Sequence, residues 1–164
     1  MKSIILSLMV IPLLFQFHSS FIIVSPVRPT VETIEDPIRK ALTFLGAPIV
    51  KLHDLTSAIN LASQQTKISP YLLASLCYTE STFNYKAKSN KGYVGLMQTP
   101  WASKKWADLD VLHGARILEE KLRLSNNDLE LALTLYKGGR NEMAKRQARE
   151  TITVYNRLLH RMRG

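Results

Sequence analysis

Apolar residues recur at intervals of three and four positions along most of this 164-residue chain, and no run alternates with a period of two for long. Such spacing predicts amphipathic helices, whereas alternation would predict half-buried strands. Apolar residues make up 46% of the chain and charged residues 21%, a composition that fits a globular protein and excludes a disordered one. We therefore expect a mainly α-helical, single small domain with one modest core.

Capping residues, prolines and glycines mark the predicted helix ends. Asp36-Pro37 and Ser69-Pro70 each place a capping side chain before a proline at the first helical position. Asp110 is expected to cap a later helix that Ser125-Asn126-Asn127 stops, and Gly138-Gly139 to end the next one. The last helix is expected to bury a stripe formed by Ala148, Ile152, Tyr155, Leu159 and Met162.

Glu80 is an acid on the apolar side of a predicted helix. It ends a stripe at i, i+3, i+4 and i+7 that is formed by Leu73, Leu76, Cys77 and Glu80. Burial and the negative end of the helix dipole both favour the neutral form of such a carboxyl group. A neutral carboxylic acid near pH 7 is what cleavage of a glycosidic bond needs. On the helix alone, a stripe-edge glutamate that reaches water is the alternative.

The residues after Glu80 form an ordered set. Glu80-Ser81 is followed by Ser89 and then by Gly-Tyr-Val-Gly-Leu-Met-Gln at 92–98. This resembles the soluble lytic transglycosylase family, whose signature joins Glu-Ser, a small-residue and serine loop, Gly-x-x-Gly-Leu-Met-Gln and a later Ala-Tyr-Asn-x-Gly. The resemblance covers roughly residues 55–159 and implies a lysozyme-like fold, in which an irregular loop at 85–98 carries the substrate motif.

The same resemblance implies the chemistry. Members of this family cleave the β-1,4 bond between N-acetylmuramic acid and N-acetylglucosamine in peptidoglycan. A single glutamate, here Glu80, would protonate the glycosidic oxygen and then take the proton of the sugar's C6 hydroxyl, which leaves a 1,6-anhydromuramic end. The signature of this chain holds no second acid of the kind that most glycosidases need. No cofactor and no metal are expected.

Further site residues follow from the family match. Ser89 and Gln98 occupy positions that hydrogen-bond the sugar or its N-acetyl group, with bonds to nearby backbone as the alternative. Gly92 and Gly95 are expected to allow positive φ and a close approach of the chain to the ligand. Met97 resembles a residue that lines the cleft, and the alternative is a core methionine.

Tyr136 takes the tyrosine position of Ala-Tyr-Asn-x-Gly, where its hydroxyl would lie near the catalytic acid; a core tyrosine is the alternative. The family's next residue, Asn, is replaced by Lys137, and a cation near Glu80 would favour its charged form. Tyr155 is also a candidate substrate-binding residue, although it stands one position later than the tyrosine of the family's Glu-Thr-x-x-Tyr.

The usual Gln-x-Met-Pro of the family is shortened here to Gln98-Thr99-Pro100, which loses a methionine that borders the sugar. This departure and Lys137 keep two alternatives open. One is a non-catalytic glycan-binding or scaffold module, and the other is a lysozyme-like hydrolase.

The N-terminal segment predicts export. Lys2 precedes an apolar run at 4–15, and a second apolar stretch ends before Pro26. We expect residues 1–25 to be a signal peptide or an uncleaved signal anchor in the inner membrane, residues 26–35 a linker, and residues 36–164 the periplasmic domain. Cys77 has no second cysteine to pair with and is expected to be a small core residue.

The formal net charge is +9, and residues 137–164 hold eight Lys or Arg against two Glu, a net charge of +6. An anionic partner is expected, with a solvated helix face as the alternative. Zinc-ligand spacing and interleaved aromatic residues are missing from the sequence, so nucleic acid is not expected. Expected partners are peptidoglycan strands and components of a secretion, conjugation or pilus apparatus, with membrane contact only through the N-terminal segment.

Overall fold

The structure is a computed structural model that describes residues 36–100 and 106–163, which belong to one compact unit. It has six α-helices and one short 3-10 helix at Ile49–Lys51. The α-helices are α1 (Pro37–Phe44), α2 (Leu52–Thr66), α3 (Pro70–Ser81), α4 (Ala107–Leu124), α5 (Leu129–Tyr136) and α6 (Glu142–Arg163). Within the described ranges there are no strands beyond isolated bridges in the 85–100 loop. The prediction of a mainly α-helical domain is confirmed.

The predicted signal segment and linker, residues 1–35, lie outside the described residues. Among the helices that are described, none combines the length and the apolar character that a membrane span requires.

Helix α3 is the buried centre of the domain and packs against α1, α2, α4 and α6. All six residues from Leu72 to Cys77 are buried, including Ser75. A helix that is covered on every side is apolar all round, so the single stripe read from the sequence was too narrow. Glu80 lies in the last turn of this helix, where the enclosed segment reaches the surface of the domain.

Asp110 does not cap α4. The helix begins at Ala107, and Asp110 lies in its first turn with a fully buried side chain. Its carboxylate accepts a hydrogen bond from the N–H of Leu96 in the loop before α4 and makes no cap of its own helix. The cap predicted at Asp36 is confirmed, since its side chain accepts from the N–H groups of Ile38 and Arg39.

The buried face of α6 is rotated by about one residue from the predicted stripe. The buried residues are Ala144, Ala148, Thr151, Val154 and Leu158. Ile152 and Tyr155 lie at the edge of this face and are only partly buried. The pattern was misread because Thr151 is a polar residue that is buried through hydrogen bonds, and hydrophobic periodicity does not count it.

Gly114 in α4 gives space to Met97. A Cβ built at Gly114 would lie 2.6 Å from both Cβ and Cε of Met97, which is closer than packed carbon atoms approach. Met97 is fully buried, and its sulfur lies 3.2 Å from Sγ of Cys77. The end of the loop is therefore seated on α4 at a position where only glycine leaves room.

We predict that Gly114→Ala lowers the free energy of unfolding by about 1 to 3 kcal/mol, the usual cost of overpacking a core. The direction of this change is informative, because Gly→Ala at an unconstrained helical site stabilises the folded protein by about 1 kcal/mol. Urea denaturation measures the difference, and Glu119→Ala, an exposed change in the same helix, should alter stability by less than about 0.5 kcal/mol. Equal or higher stability for Gly114→Ala would contradict the packing described.

Candidate active site

Glu80 lines a cleft of about 430 Å³. Its side chain is only 15% exposed, so the carboxylate is largely enclosed and still reachable from solvent. Four of the residues predicted from the sequence share this cleft with it: Ser89, Gln98, Tyr136 and Lys137. The structure therefore brings the end of α3, the 85–100 loop and the end of α5 together around one carboxylate.

Lys137 is the direct partner of Glu80. Its Nζ lies 2.9 Å from Oε1 of Glu80, and its own side chain is 5% exposed. The sequence showed a lysine where the family has asparagine, and in the structure this lysine forms an ion pair with Glu80. The ammonium and the carboxylate are in direct contact, and the low exposure of both side chains reduces screening of this ion pair by water and salt.

Thr79 contacts Lys137 and is itself supported by Thr151, and sequence reasoning missed both threonines. Nζ of Lys137 also contacts the hydroxyl of Thr79 at 3.2 Å, and that hydroxyl lies 2.8 Å from the hydroxyl of Thr151 on α6. Thr151 in turn donates to the carbonyl oxygen of Gln147. The ion pair is thus tied to three helices. The only signal in the sequence was Thr79 beside the acid, and threonine there has many explanations.

The loop brings Ser89 and Gln98 to the cleft through its own hydrogen bonds. Ser89 Oγ accepts from the N–H of Tyr93 at 3.0 Å, which leaves its hydroxyl proton for another acceptor. Nε2 of Gln98 donates to the carbonyl oxygens of Ala87 and Gly95, at 2.9 and 2.7 Å. The alternative reading of Gln98, bonds to nearby backbone, is therefore present in the structure, and Oε1 is the group that Gln98 can offer to a ligand.

Gly92 and Gly95 have φ values of +80° and +103°, so both use the backbone freedom that the sequence predicted for them. Gly95 donates its N–H to the carbonyl oxygen of Ala87, and Gly92 donates to that of Ser89. These bonds fold the loop back on itself and set its width at the cleft.

Tyr136 and Met97 contribute in different ways. The hydroxyl of Tyr136 donates to the carbonyl oxygen of Met97 at 2.8 Å, and its ring lines the cleft beside Glu80. Burial, and next the negative charge of Glu80, raise the pKa of Tyr136 well above its ordinary value, so it remains a neutral donor. The side chain of Met97 is fully buried and does not line the cleft, which is the core alternative stated for it.

Asp110 anchors the 85–100 loop to α4. Its carboxylate accepts from the N–H of Leu96, and the N–H of Met97 also stabilises its charged form. Burial nevertheless raises the pKa of Asp110 to about 6, because desolvation outweighs these two donors. Sequence reasoning missed this support because an acid in the first turn of a helix looks like a cap.

Tyr155 lies elsewhere. It lines a separate pocket with residues at the end of α2, at the start of α3 and around the α4–α5 turn, among them Lys67, Leu72 and Asn127. The position that matches the family tyrosine is Val154, which is buried in the α6 face. The described structure therefore does not bring Tyr155 to the Glu80 cleft.

With this geometry established, comparison with known families is decisive. A family model described as the transglycosylase SLT domain matches residues 57–157, which is more than half of the chain. The chain belongs to the transglycosylase SLT family. Its helical architecture is the lysozyme-like all-α domain of that family, as the sequence predicted. No solved structure matches the chain.

The SLT domain supports peptidoglycan cleavage of the lytic transglycosylase type at the level of the family, and it implies binding of glycan strands. The groups that line the cleft of this SLT domain include the Glu80 carboxylate, the Lys137 ammonium that pairs with it, and the side chains of Ser89, Gln98 and Tyr136. Among the described residues, no group of three or more His, Cys, Asp or Glu side chains could hold a metal ion. The arrangement is suited to moving a proton at one carboxylate.

We predict that Lys137→Met lowers the free energy of unfolding by about 1 to 3 kcal/mol at pH 7, because Glu80 would be left as a largely enclosed charge without its partner. In the double variant Lys137→Met/Glu80→Gln the loss should be smaller than the sum of the two single losses, since no charge is then stranded. Urea denaturation of all four proteins gives the coupling.

Lys145→Met is the matched control. Lys145 and Glu142 form an ion pair of 2.7 Å whose side chains are 43% and 86% exposed. An exposed pair contributes about 0.2 to 1 kcal/mol, so its removal should cost less than removal of Lys137. Equal losses at both sites would show that enclosure of the Glu80 pair has no energetic effect.

Proposed function

We propose that this protein is a peptidoglycan lytic transglycosylase in which Glu80 is the single general acid and base. The observation that supports this most strongly is the enclosed Glu80 carboxylate, which lies in one cleft with Ser89, Gln98 and Tyr136. The bond to be cleaved is the β-1,4 bond between N-acetylmuramic acid and N-acetylglucosamine. No cofactor takes part in this mechanism.

The reaction begins with protonated Glu80. Its proton passes to the glycosidic oxygen as the bond from that oxygen to C1 of muramic acid breaks. The resulting carboxylate then takes the proton of the C6 hydroxyl while O6 bonds to C1, which closes the anhydro ring. Glu80 ends protonated as it began, so no water is consumed and no net proton is exchanged.

Lys137 lies beside the reacting carboxylate. Its Nζ is 2.9 Å from Oε1 of Glu80, so it offers a fixed positive charge where the carboxylate forms as the glycosidic oxygen is protonated. The same contact makes Glu80 one half of an ion pair in the resting cleft.

That resting ion pair supports the second candidate function, a glycan-binding module without catalysis. In such a module Glu80 and Lys137 would be a structural pair, and the cleft would bind strands without cleaving them. The two functions make opposite predictions for the products released from purified sacculi.

We predict that Glu80→Gln abolishes turnover, with a loss of at least about 10²- to 10⁴-fold. The amide is close to the carboxyl group in shape and can still accept from Lys137, so the fold should be retained. The full chain is incubated with sacculi, and soluble products are analysed by mass spectrometry. Anhydro-ended fragments, each one water lighter than a hydrolysed end, are expected from the wild type alone.

Glu150→Gln is the control, because Glu150 is exposed on α6 and does not line the cleft. If Glu80→Gln releases soluble products at the rate of the wild type, Glu80 is not the catalytic residue. Hydrolysed ends from the wild type would favour a lysozyme-like hydrolase, and absence of any release would favour the binding module.

We also propose that the protein acts in the periplasm as an accessory of a secretion, conjugation or pilus apparatus, exported by residues 1–25. The charged start and the apolar run support export. Full-length protein expressed in a Gram-negative cell should fractionate with the envelope or the periplasm. A variant with Asp in place of Leu8 and Leu13 should stay in the cytosol, and cytosolic recovery of the unaltered chain would contradict export.

A further inference from the structure

Lys91 is a second cation in the Glu80 cleft, and its charge is not balanced there. The charged side chains that line the cleft are Glu80, Lys91 and Lys137. Glu80 and Lys137 already form a close pair. None of the ion pairs found in the described part of the chain includes Lys91. The cleft therefore presents one exposed ammonium for which it supplies no carboxylate.

The backbone that carries Lys91 is fixed by a tight turn. The N–H of Gly92 donates to the carbonyl oxygen of Ser89 at 2.9 Å, and the N–H of Ser89 donates to that of Tyr93 at 2.8 Å. The N–H of Tyr93 donates to Oγ of Ser89, and Gly92 has a φ of +80°. Lys91 thus projects from the tip of a hydrogen-bonded turn whose position is set by the loop.

The ammonium of Lys91 reaches across to the end of α5. A Cβ built at Gly138 would lie 2.5 Å from Nζ of Lys91, so the glycine leaves the space in which this ammonium lies. Gly138 directly follows Lys137, the partner of Glu80. The free cation is therefore in the same wall of the cleft as the candidate catalytic pair.

We propose that Lys91 binds a carboxylate of the glycan strand, so that the cleft prefers acidic muramic units to neutral ones. The proposal rests on the proposed function for its substrate. A muramic unit can supply a carboxylate from two sources: the lactyl group when it carries no peptide, or the free carboxyl groups of its stem peptide. An exposed pair of this kind is worth about a three- to fivefold change in affinity, decreasing as salt is added.

The test measures binding without turnover. The ligand is the disaccharide N-acetylglucosaminyl-N-acetylmuramic acid, which lacks the bond that the enzyme is proposed to break. It is used in three forms: with a free lactyl carboxylate, with a stem peptide, and with a stem peptide whose carboxyl groups have been converted to amides. Dissociation constants of the full chain are measured by NMR titration for wild type, Lys91→Gln and Lys86→Gln, at low and high salt.

Lys86 is the matched control, because it is an exposed lysine of the same loop that does not line the cleft. Wild type and Lys86→Gln should bind at least one carboxylate-bearing form about three- to fivefold more tightly than the amidated form at low salt. Lys91→Gln should show no preference. Preference for the lactyl form identifies the sugar's own carboxylate as the ligand group, and preference for the peptide form alone identifies the peptide.

Equal affinity of wild type for all three forms, no saturable binding of any form, or a preference that persists in Lys91→Gln would overturn the proposal. Because no bond is cleaved in this titration, its result is independent of the Glu80→Gln experiment. A catalytically inactive protein could still show the Lys91 preference, and an active transglycosylase could lack it.

Discussion

The negative charge of Glu80 lies where a fully enclosed helix reaches the surface, and it needs a compensating positive charge close by. The cleft is organised around the ion pair that provides it. Helix α3 is covered on all sides, so its last turn places an acid at 15% exposure with little water around it. Lys137 supplies the balancing charge from the end of α5; its ammonium contacts the hydroxyl of Thr79, which in turn contacts the hydroxyl of Thr151. An enclosed pair of this kind gains little net stability but is costly to break, so it fixes the relative positions of the helices that contribute to it.

The 85–100 loop depends on a second polar anchor. Asp110 is buried in α4 and accepts a hydrogen bond from the N–H of Leu96, while Tyr136 donates to the carbonyl oxygen of Met97. Gly114 leaves the space in which the Met97 side chain lies. The loop has little regular structure, and yet its end is fixed from three directions. This explains how an irregular segment can place Ser89 and Gln98 opposite Glu80, because positions in a cleft require a rigid support more than a regular backbone.

Much of this arrangement could be predicted from the sequence, since local signals decide it. The starts of α1 and α3 at Pro37 and Pro70 and the end of α5 before Gly138 follow local signals, and the spacing from Glu80 to Gln98 identifies the family independently of contacts. What could not be predicted are interactions between elements distant in the chain. In the sequence Asp110 resembles a helix cap, and only the folded structure shows that its carboxylate contacts the loop. Thr151 resembles a polar interruption of an apolar stripe, and only the structure shows its contact with Thr79. Tyr155 lies outside the cleft because the buried face of α6 is rotated from the predicted stripe. Asp110 and Thr151 are polar groups buried through hydrogen bonds, which hydrophobic periodicity does not detect.

Lys137 is also part of the basic C-terminal segment, residues 137–164, and the cations of this segment have different partners in the structure. Lys137 is enclosed and paired with Glu80, Arg149 pairs with Glu130 at 2.8 Å, and Arg157 lies over the ring of Phe44. A net charge read from sequence therefore overstates the free cations that a strand can meet. Beyond a Debye length of about 8 Å at physiological salt, the remaining charges act only weakly. In the proposed function, attraction of an anionic strand to the domain and recognition within the cleft are accordingly separate properties: we assign the first to exposed arginines of α6, and the second to the few charged groups that surround Glu80.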